Sequence, residues 1–381
     1  MSNPAFKCKQ YIKMHIQNKT LPAAYAKAVE KYQVDKNLVI MADAHSDELP
    51  DSMVDLYSAL VEKGYEVKIW CKDIAKLGAA ATMDFMKDFM EEYAKAGFVI
   101  ICSYFLPVSS CVKRPETTVI QLWHSGGLLK KMGYDTAEDI PDYYKGNVTA
   151  NYDLVTVSAP ICEPVWQQAM RLPDGVVKAL GLARTDKYFD EARNAGLRDK
   201  LFNAIPEAKG KKIALYAPSF TGNASSAENK GIESGIDKAF EGRDDWFFIM
   251  KPHPHTIDKY KEYMDERLMD MSTDELYASA DLFITDYSSA LFDYCVYKKP
   301  FLLYCPDRDD YAERRGFYVD PDTFPCKLTT SVEELKEVLD DGSWNSYSDK
   351  DYQDFYDTYM SACDGHAIGR IISYMENING R

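Results

Sequence analysis

The stretch "DLFITDYSSALFDYCVYKKPFLLY", residues 281–304, holds two short apolar runs separated by the polar knot Asp286-Tyr287-Ser288-Ser289. A run as short as "DLFIT" is buried-strand material, and "ALFDYCVY" has helical spacing, so the knot stands where a strand hands over to a helix. The same grammar repeats along the chain. "NLVIMA" (37–42), "EVKIWC" (66–71), "FVIIC" (98–102), "TVIQLW" (118–123) and "DLVTVS" (153–158) form one series of strands. "KIALYA" (212–217), "DWFFIM" (245–250), "DLFIT" (281–285) and "PFLLY" (300–304) form another. Helix-length segments separate them: Asp51 to Lys63, with Val54, Leu56, Leu60 and Val61 expected inward, and Met83 to Ala96. Near-continuous apolar strands alternating with helices imply parallel sheets covered on both faces and joined by right-handed crossovers.

The expected fold is therefore α/β, with two doubly wound, Rossmann-like domains. Their boundaries are read as 1–170 and 171–365, with 366–381 a C-terminal helix packing back on the first domain. The length of 381 residues suits two ordinary cores. A formal net charge of −15 argues against a nucleic-acid partner. Nine cysteines without metal-type spacing read as reduced thiols of a cytoplasmic protein. The N-terminus lacks a signal-peptide core, and "FVIICSYFLPV" (98–108) is too short to span a bilayer. Within the first 31 residues, Lys7, Lys9, Lys13, Lys19, Lys27 and Lys31 face Glu30 alone. Phe6, Tyr11, Ile12 and Ile16 add apolar character, as in a helix lying on a membrane surface; a solvated helix with its lysines outward is the plainer reading.

Ligands of open α/β sheets sit beyond the carboxyl ends of strands. Four such ends here are polar. "TVIQLW" is followed by His124-Ser125-Gly126-Gly127, "KIALYA" by Pro218-Ser219-Phe220-Thr221-Gly222, "DWFFIM" by Lys251-Pro252-His253-Pro254-His255, and "DLFIT" by Asp286-Tyr287-Ser288-Ser289. Hydroxyls and free N–H groups at the start of a helix can seat an anion, although an ordinary cap uses the same residues. His124 beside two glycines can take a proton from an attacking hydroxyl, and His253 can donate to a phosphate oxygen with Lys251 or His255 assisting. His253 and His255 have no third metal ligand at a suitable spacing. His15 and His45 lack such context, and His366 reads as a helix-start residue. No GxGxxG follows a strand, which speaks against a dehydrogenase.

"LWHSGGLLKKMGYD" (122–135), "GLARTDKYF" (181–189), "ALYAPSF" (214–220), "KPHPHT" (251–256), "SADLFITDYSSALFDY" (279–294) and "RGFYVD" (315–320) occur in this order. Together they resemble the CDP-glycerol glycerophosphotransferase family of teichoic-acid primases and polymerases. The resemblance implies a GT-B-like enzyme whose two domains face across a cleft. It implies transfer of a polyol phosphate from CDP-glycerol or CDP-ribitol to an acceptor hydroxyl on a lipid-linked glycopolymer precursor, releasing CMP, with no cofactor and no essential metal. By resemblance His124 is the base and His253 contacts the donor diphosphate, as do Ser288, Ser289 and Arg184; Lys251 and Thr285 are further candidates there. Pro218, Ser219, Asp286 and Asp293 are candidates for the nucleotide pocket. Ser125, Gly126, Gly127 and Lys130 form the loop expected to face the acceptor, where the family's commonest form has Gly-Thr-Pro after the histidine. The enzyme is expected in the cytoplasm, peripheral to the inner membrane face. A GT-B glycosyltransferase using a nucleotide-sugar and a non-catalytic nucleotide-binding module are the alternatives.

Overall fold

The computed structural model describes residues 4–220 and 228–380. Thr221 and Gly222 of the second polar strand end, and the side chain of His255, lie outside the described residues. The chain forms two compact units. The first comprises Met1–His124, Met132–Asp186 and Ala362–Arg381; the second comprises Ser125–Lys131 and Lys187–Ser361.

In the first unit, strands β1 (Asp35–Asp43), β2 (Glu66–Cys71), β3 (Ala96–Ile101), β4 (Thr118–Gln121), β5 (Leu154–Thr156) and β6 (Val177–Lys178) form a parallel sheet in the order β2-β1-β3-β4-β5-β6. β3 is buried along its whole length, as a strand covered on both faces should be. One face is packed by helix α3 (Asp51–Glu62), which follows helices α1 (Pro4–His15) and α2 (Leu21–Lys31). Met53, Leu56 and Leu60 of α3 are buried, whereas Val54 and Val61 are 42% and 47% exposed. The expected inward set is corrected here: at about 100° per residue, positions 53, 56 and 60 share a stripe that 54 and 61 miss. The helix Ala367–Asn379 packs Ile371, Ile372 and Met375 onto the same core. The opposite face receives α4 (Ala79–Tyr93), through Phe89, Met90 and Tyr93.

In the second unit, β7 (Lys212–Tyr216), β8 (Trp246–Met250), β9 (Leu282–Thr285), β10 (Phe301–Tyr304) and β11 (Lys327–Thr329) are parallel in the order β11-β10-β9-β7-β8. Each sheet thus reverses its winding once, between β1 and β3 in the first and between β7 and β9 in the second. Such switch points open a crevice at the carboxyl ends of the strands.

The unit boundary falls after Asp186 rather than after residue 170. The reason is β6: Val177 and Lys178 pair with Val155 and Thr156, and Ala183 enters the first core. The return of the C-terminus is fixed by Asp186, whose carboxylate accepts the N–H groups of Ala367 (3.0 Å) and Ile368 (2.8 Å) at the start of the last helix. Gly181 is required there, with φ +87° and a would-be Cβ 2.2 Å from the Ala362 carbonyl oxygen. His366 is the N-cap residue of that helix, as the sequence suggested.

Candidate active site

β4 stops at Gln121, two residues short of the apolar run, because Trp123 adopts a left-handed φ of +55°. That conformation is uncommon for a bulky residue and costs on the order of 1 kcal/mol, so the surroundings must hold it. They do. The Trp123 N–H donates to Gln121 Oε1 (2.9 Å), and the indole sits edge-on to Tyr104 and Trp166. The turn presents His124 to solvent, stacked on Trp123 at 4.8 Å between ring centroids and 18° between planes.

The imidazole orientation is fixed on one side. His124 Nδ1 lies 2.9 Å from the Cys102 carbonyl oxygen. A carbonyl only accepts, so Nδ1 carries the proton and Nε2 of the neutral ring is the basic nitrogen. The Cys102–Ser103 segment is itself anchored. Ser103 Oγ donates to Asp43 Oδ1 (2.6 Å), and the Ser103 carbonyl accepts from Gln121 Nε2 (2.9 Å). Gln121 is fully buried and clamps both neighbouring turns, one through each amide atom.

Replacing Gln121 with leucine should orphan the Ser103 carbonyl and the Trp123 N–H, a loss of about 1–3 kcal/mol. If His124 is the base, a misplaced ring should also lower kcat by about tenfold or more with the donor KM little changed. Steady-state kinetics alongside chemical denaturation check this; unaltered kcat and stability would contradict the clamp.

Asp43 and His45, absent from the sequence candidates, stand at the end of β1. Burial alone would raise the Asp43 pKa, but hydrogen bonds from His45 and Ser103 overcome it and bring it to about 2. The bond to Asp43 raises the His45 pKa. A carboxyl depressed on folding stabilises above its unfolded pKa and loses that contribution as pH falls through the folded one. About 2 kcal/mol should therefore vanish between roughly pH 4 and pH 2. Denaturation of Asp43→Asn and the parent across that range should converge at the acid end; a constant difference would be contrary to the assignment. Arg184 is buried in this unit, and its charge bears on Cys102. Arg184 thus belongs to the same unit as His124.

In the second unit the two strands at the switch point are tied together. Thr285 Oγ1 donates to the Ala217 carbonyl (2.6 Å), and the Ser219 N–H donates to Asp286 Oδ1 (2.8 Å). Pro218 is buried between these ties. Burial raises the Asp286 pKa, opposed by the Ser219 hydrogen bond and the nearby charge of Lys130. Ser288 and Ser289 are half-buried. Ser288 Oγ accepts the Ala290 N–H (3.2 Å) in a local turn, Ser289 is the N-cap residue with no side-chain cap bond, and the helix Ala290–Tyr294 is only five residues long. Any anion here would be met by hydroxyls and loop N–H groups more than by a helix dipole. Asp293 is buried on the same helix.

Half-buried His253 rests against Phe220 at 4.6 Å between centroids, and its carbonyl accepts from both the N–H and the hydroxyl of Thr256. Lys251 turns away: it is buried and donates to the Leu268 carbonyl (3.1 Å). Its expected place on a diphosphate is not where the structure puts it.

The loop Ser125–Lys131 belongs to this second unit. Leu129 and Lys131 exchange backbone hydrogen bonds with Tyr318 and Gly316, and Arg315 Nε donates to the Lys131 carbonyl (3.0 Å). Phe317 packs on Tyr287 (5.5 Å), which stacks on Tyr311 (3.8 Å). Gly126 is buried, and Gly127, at φ +59°, leaves a would-be Cβ 2.3 Å from the Phe292 ring, so no side chain fits there. Three separated stretches, "LLKK", "TDYSS" and "RGFY", therefore form one assembly. The loop assigned to the first domain lies instead with Asp286, through the tight fit of Gly127 and the pairing with 315–318.

Among the described residues no three His, Cys, Asp or Glu side chains converge as a metal site would require. None of the helices described is long and apolar enough to cross a membrane.

Two parallel sheets, each with a polar switch point, make a GT-B-like α/β fold. Residues 24–377 match the family described as CDP-glycerol:poly(glycerophosphate) glycerophosphotransferase, and the chain belongs to that family. It is 29% identical over 361 residues to the teichoic acid ribitol-phosphate primase of Bacillus spizizenii, covering 90% of this chain and 92% of that one. It is 28% identical over 304 residues to the teichoic acid glycerol-phosphate primase of Bacillus subtilis, covering 74% and 73%. The teichoic acid ribitol-phosphate polymerase TarL of Staphylococcus aureus is 24% identical, and this chain spans 58% of it. The fold is that of the wall teichoic acid polymerase TagF, with a TM-score of 0.75 at 20% identity over 98% of this chain and 99% of that one.

Proposed function

We propose that this enzyme transfers ribitol phosphate from CDP-ribitol to an acceptor hydroxyl and releases CMP, with CDP-glycerol as the alternative donor. The carrying observation is the family match over residues 24–377. The choice of ribitol and of a priming step is supported by the ribitol-phosphate primase, matched over 92% of its length. The acceptor hydroxyl attacks the β-phosphorus, the bond from that phosphorus to the oxygen bridging to CMP breaks, and the hydroxyl proton passes to His124 Nε2. Such transfers need positioning and charge neutralisation more than covalent help. His253, Ser288, Ser289 and Arg184 would neutralise the charge on the transferring group and on CMP, without a metal. Pro218, Ser219 and Asp286 would shape the nucleotide pocket.

The lipid-linked acceptor and the cytoplasmic membrane face belong to this reading. They are supported by α1, which exposes Tyr11 and Ile12 beside Lys7 and Lys9; sedimentation with anionic vesicles tests that contact. Incubation with CDP-ribitol, CDP-glycerol and nucleotide-sugars tests the donor. CMP from a CDP-polyol is expected; a nucleoside diphosphate from a sugar donor alone would make this a glycosyltransferase.

A further inference from the structure

The first unit holds a cavity of about 360 Å³ at its own switch point. Ala44 and His45, just past β1, line one side; Phe105, just past β3, lines another; and α1 closes it with Lys9 and Lys13. A crevice between two strands of opposite winding is where open α/β sheets take ligands, and the volume falls within the range of small-molecule sites. The walls are otherwise largely aliphatic and aromatic, while three of the lining residues are basic. Lys13 Nζ lies over the Tyr144 ring, 5.7 Å from its centroid, and burial lowers its pKa. His45 is held through Nδ1 by Asp43 and Ser103 and is 64% exposed, so with Lys9 it marks the solvent edge.

We propose that this cavity takes one hydrocarbon chain of an anionic, phosphate-headed lipid, with Lys9, Lys13 and His45 gathered on the headgroup. A small polar anion would leave the apolar walls unmatched, and a neutral lipid would leave Lys9 and Lys13 without a counter-charge, since Asp43 already faces His45. The outer face of α1 provides the approach. Tyr11 and Ile12 are 61% and 55% exposed, and Ile12 and Ile16 line both that outer surface and the cavity. A lipid surface against α1 thus lies one helix thickness from the slot. This inference requires no turnover, so it stands or falls apart from the transfer reaction.

The test is calorimetric titration of the full chain with a series of alkyl phosphates, hexyl to dodecyl, below their micelle concentrations. Affinity should rise about fourfold per added methylene until the cavity is filled. Inorganic phosphate should bind far more weakly, and the matching alcohols should bind about tenfold less tightly than the phosphates. Ala44→Phe, which fills the cavity, should flatten the chain-length series. Lys13→Glu, at a partly exposed position, should weaken every member about tenfold while keeping the slope, and it carries the test if the filled variant does not fold. Affinity independent of chain length, alcohols equal to phosphates, or an unchanged series in both variants would each overturn the proposal. Vesicles with and without anionic lipid add the membrane source: retention on anionic vesicles that Ala44→Phe leaves intact would assign binding to the helix surface and not the cavity.

Discussion

His124→Ala should lower the rate of CMP release by at least about 100-fold, the usual scale for a general base, while the KM for the CDP-polyol changes little. The expectation rests on the tautomer. With Nδ1 committed to the Cys102 carbonyl, only Nε2 can take the acceptor's proton, and the Trp123 stack and Gln121 clamp keep it oriented. His124→Gln keeps a hydrogen-bonding side chain but no basic nitrogen, so it should fall with alanine rather than with the parent. Near-normal turnover in either variant would remove His124 from the chemistry. The same result would leave the Gln121 clamp standing, since that is read from stability as well.

His253→Ala should cost about 100-fold or more in kcat, the scale for removing one donor aimed at developing charge. Its backbone is locked by Thr256 and its ring steadied by Phe220. The loss should therefore come from the missing imidazole rather than from a collapsed loop, and circular dichroism of the variant should match the parent. Phe220→Ala, which leaves the imidazole but loosens it, should lose less. Parent-like kcat in His253→Ala would mean that the charge on CMP is handled elsewhere.

The regular strands were legible because burial on both faces writes itself as continuous apolar runs. β6 and β11 were not, since Val177-Lys178 and Lys327-Leu328-Thr329 each carry a lysine inside the strand and read as no continuous apolar run. The unit boundary and the excursion of 125–131 were hidden for a different reason. They depend on pairings such as Lys131 with Gly316, far apart in the chain, which no local pattern reports. His124, His253 and the residues around Asp286 could be picked out because each directly follows a readable strand. Asp43 and His45 follow one too, in "MADAH", and that signal was available. What hid His45 was that its partner Ser103 comes from a different strand end. Gln121 also left a trace, as a lone polar residue inside "TVIQLW"; a fully buried amide there must be bonded on both sides. Lys251 shows the converse, a strand-end cation that looks like a ligand group and serves a backbone carbonyl.

The most direct measurement follows the β-phosphorus of the donor. With CDP-ribitol labelled at that phosphorus and an acceptor present, the label should appear in the acceptor product as a phosphodiester, and the released nucleotide should be unlabelled CMP. Label retained in CDP, or ribitol transferred without its phosphate, would contradict the account.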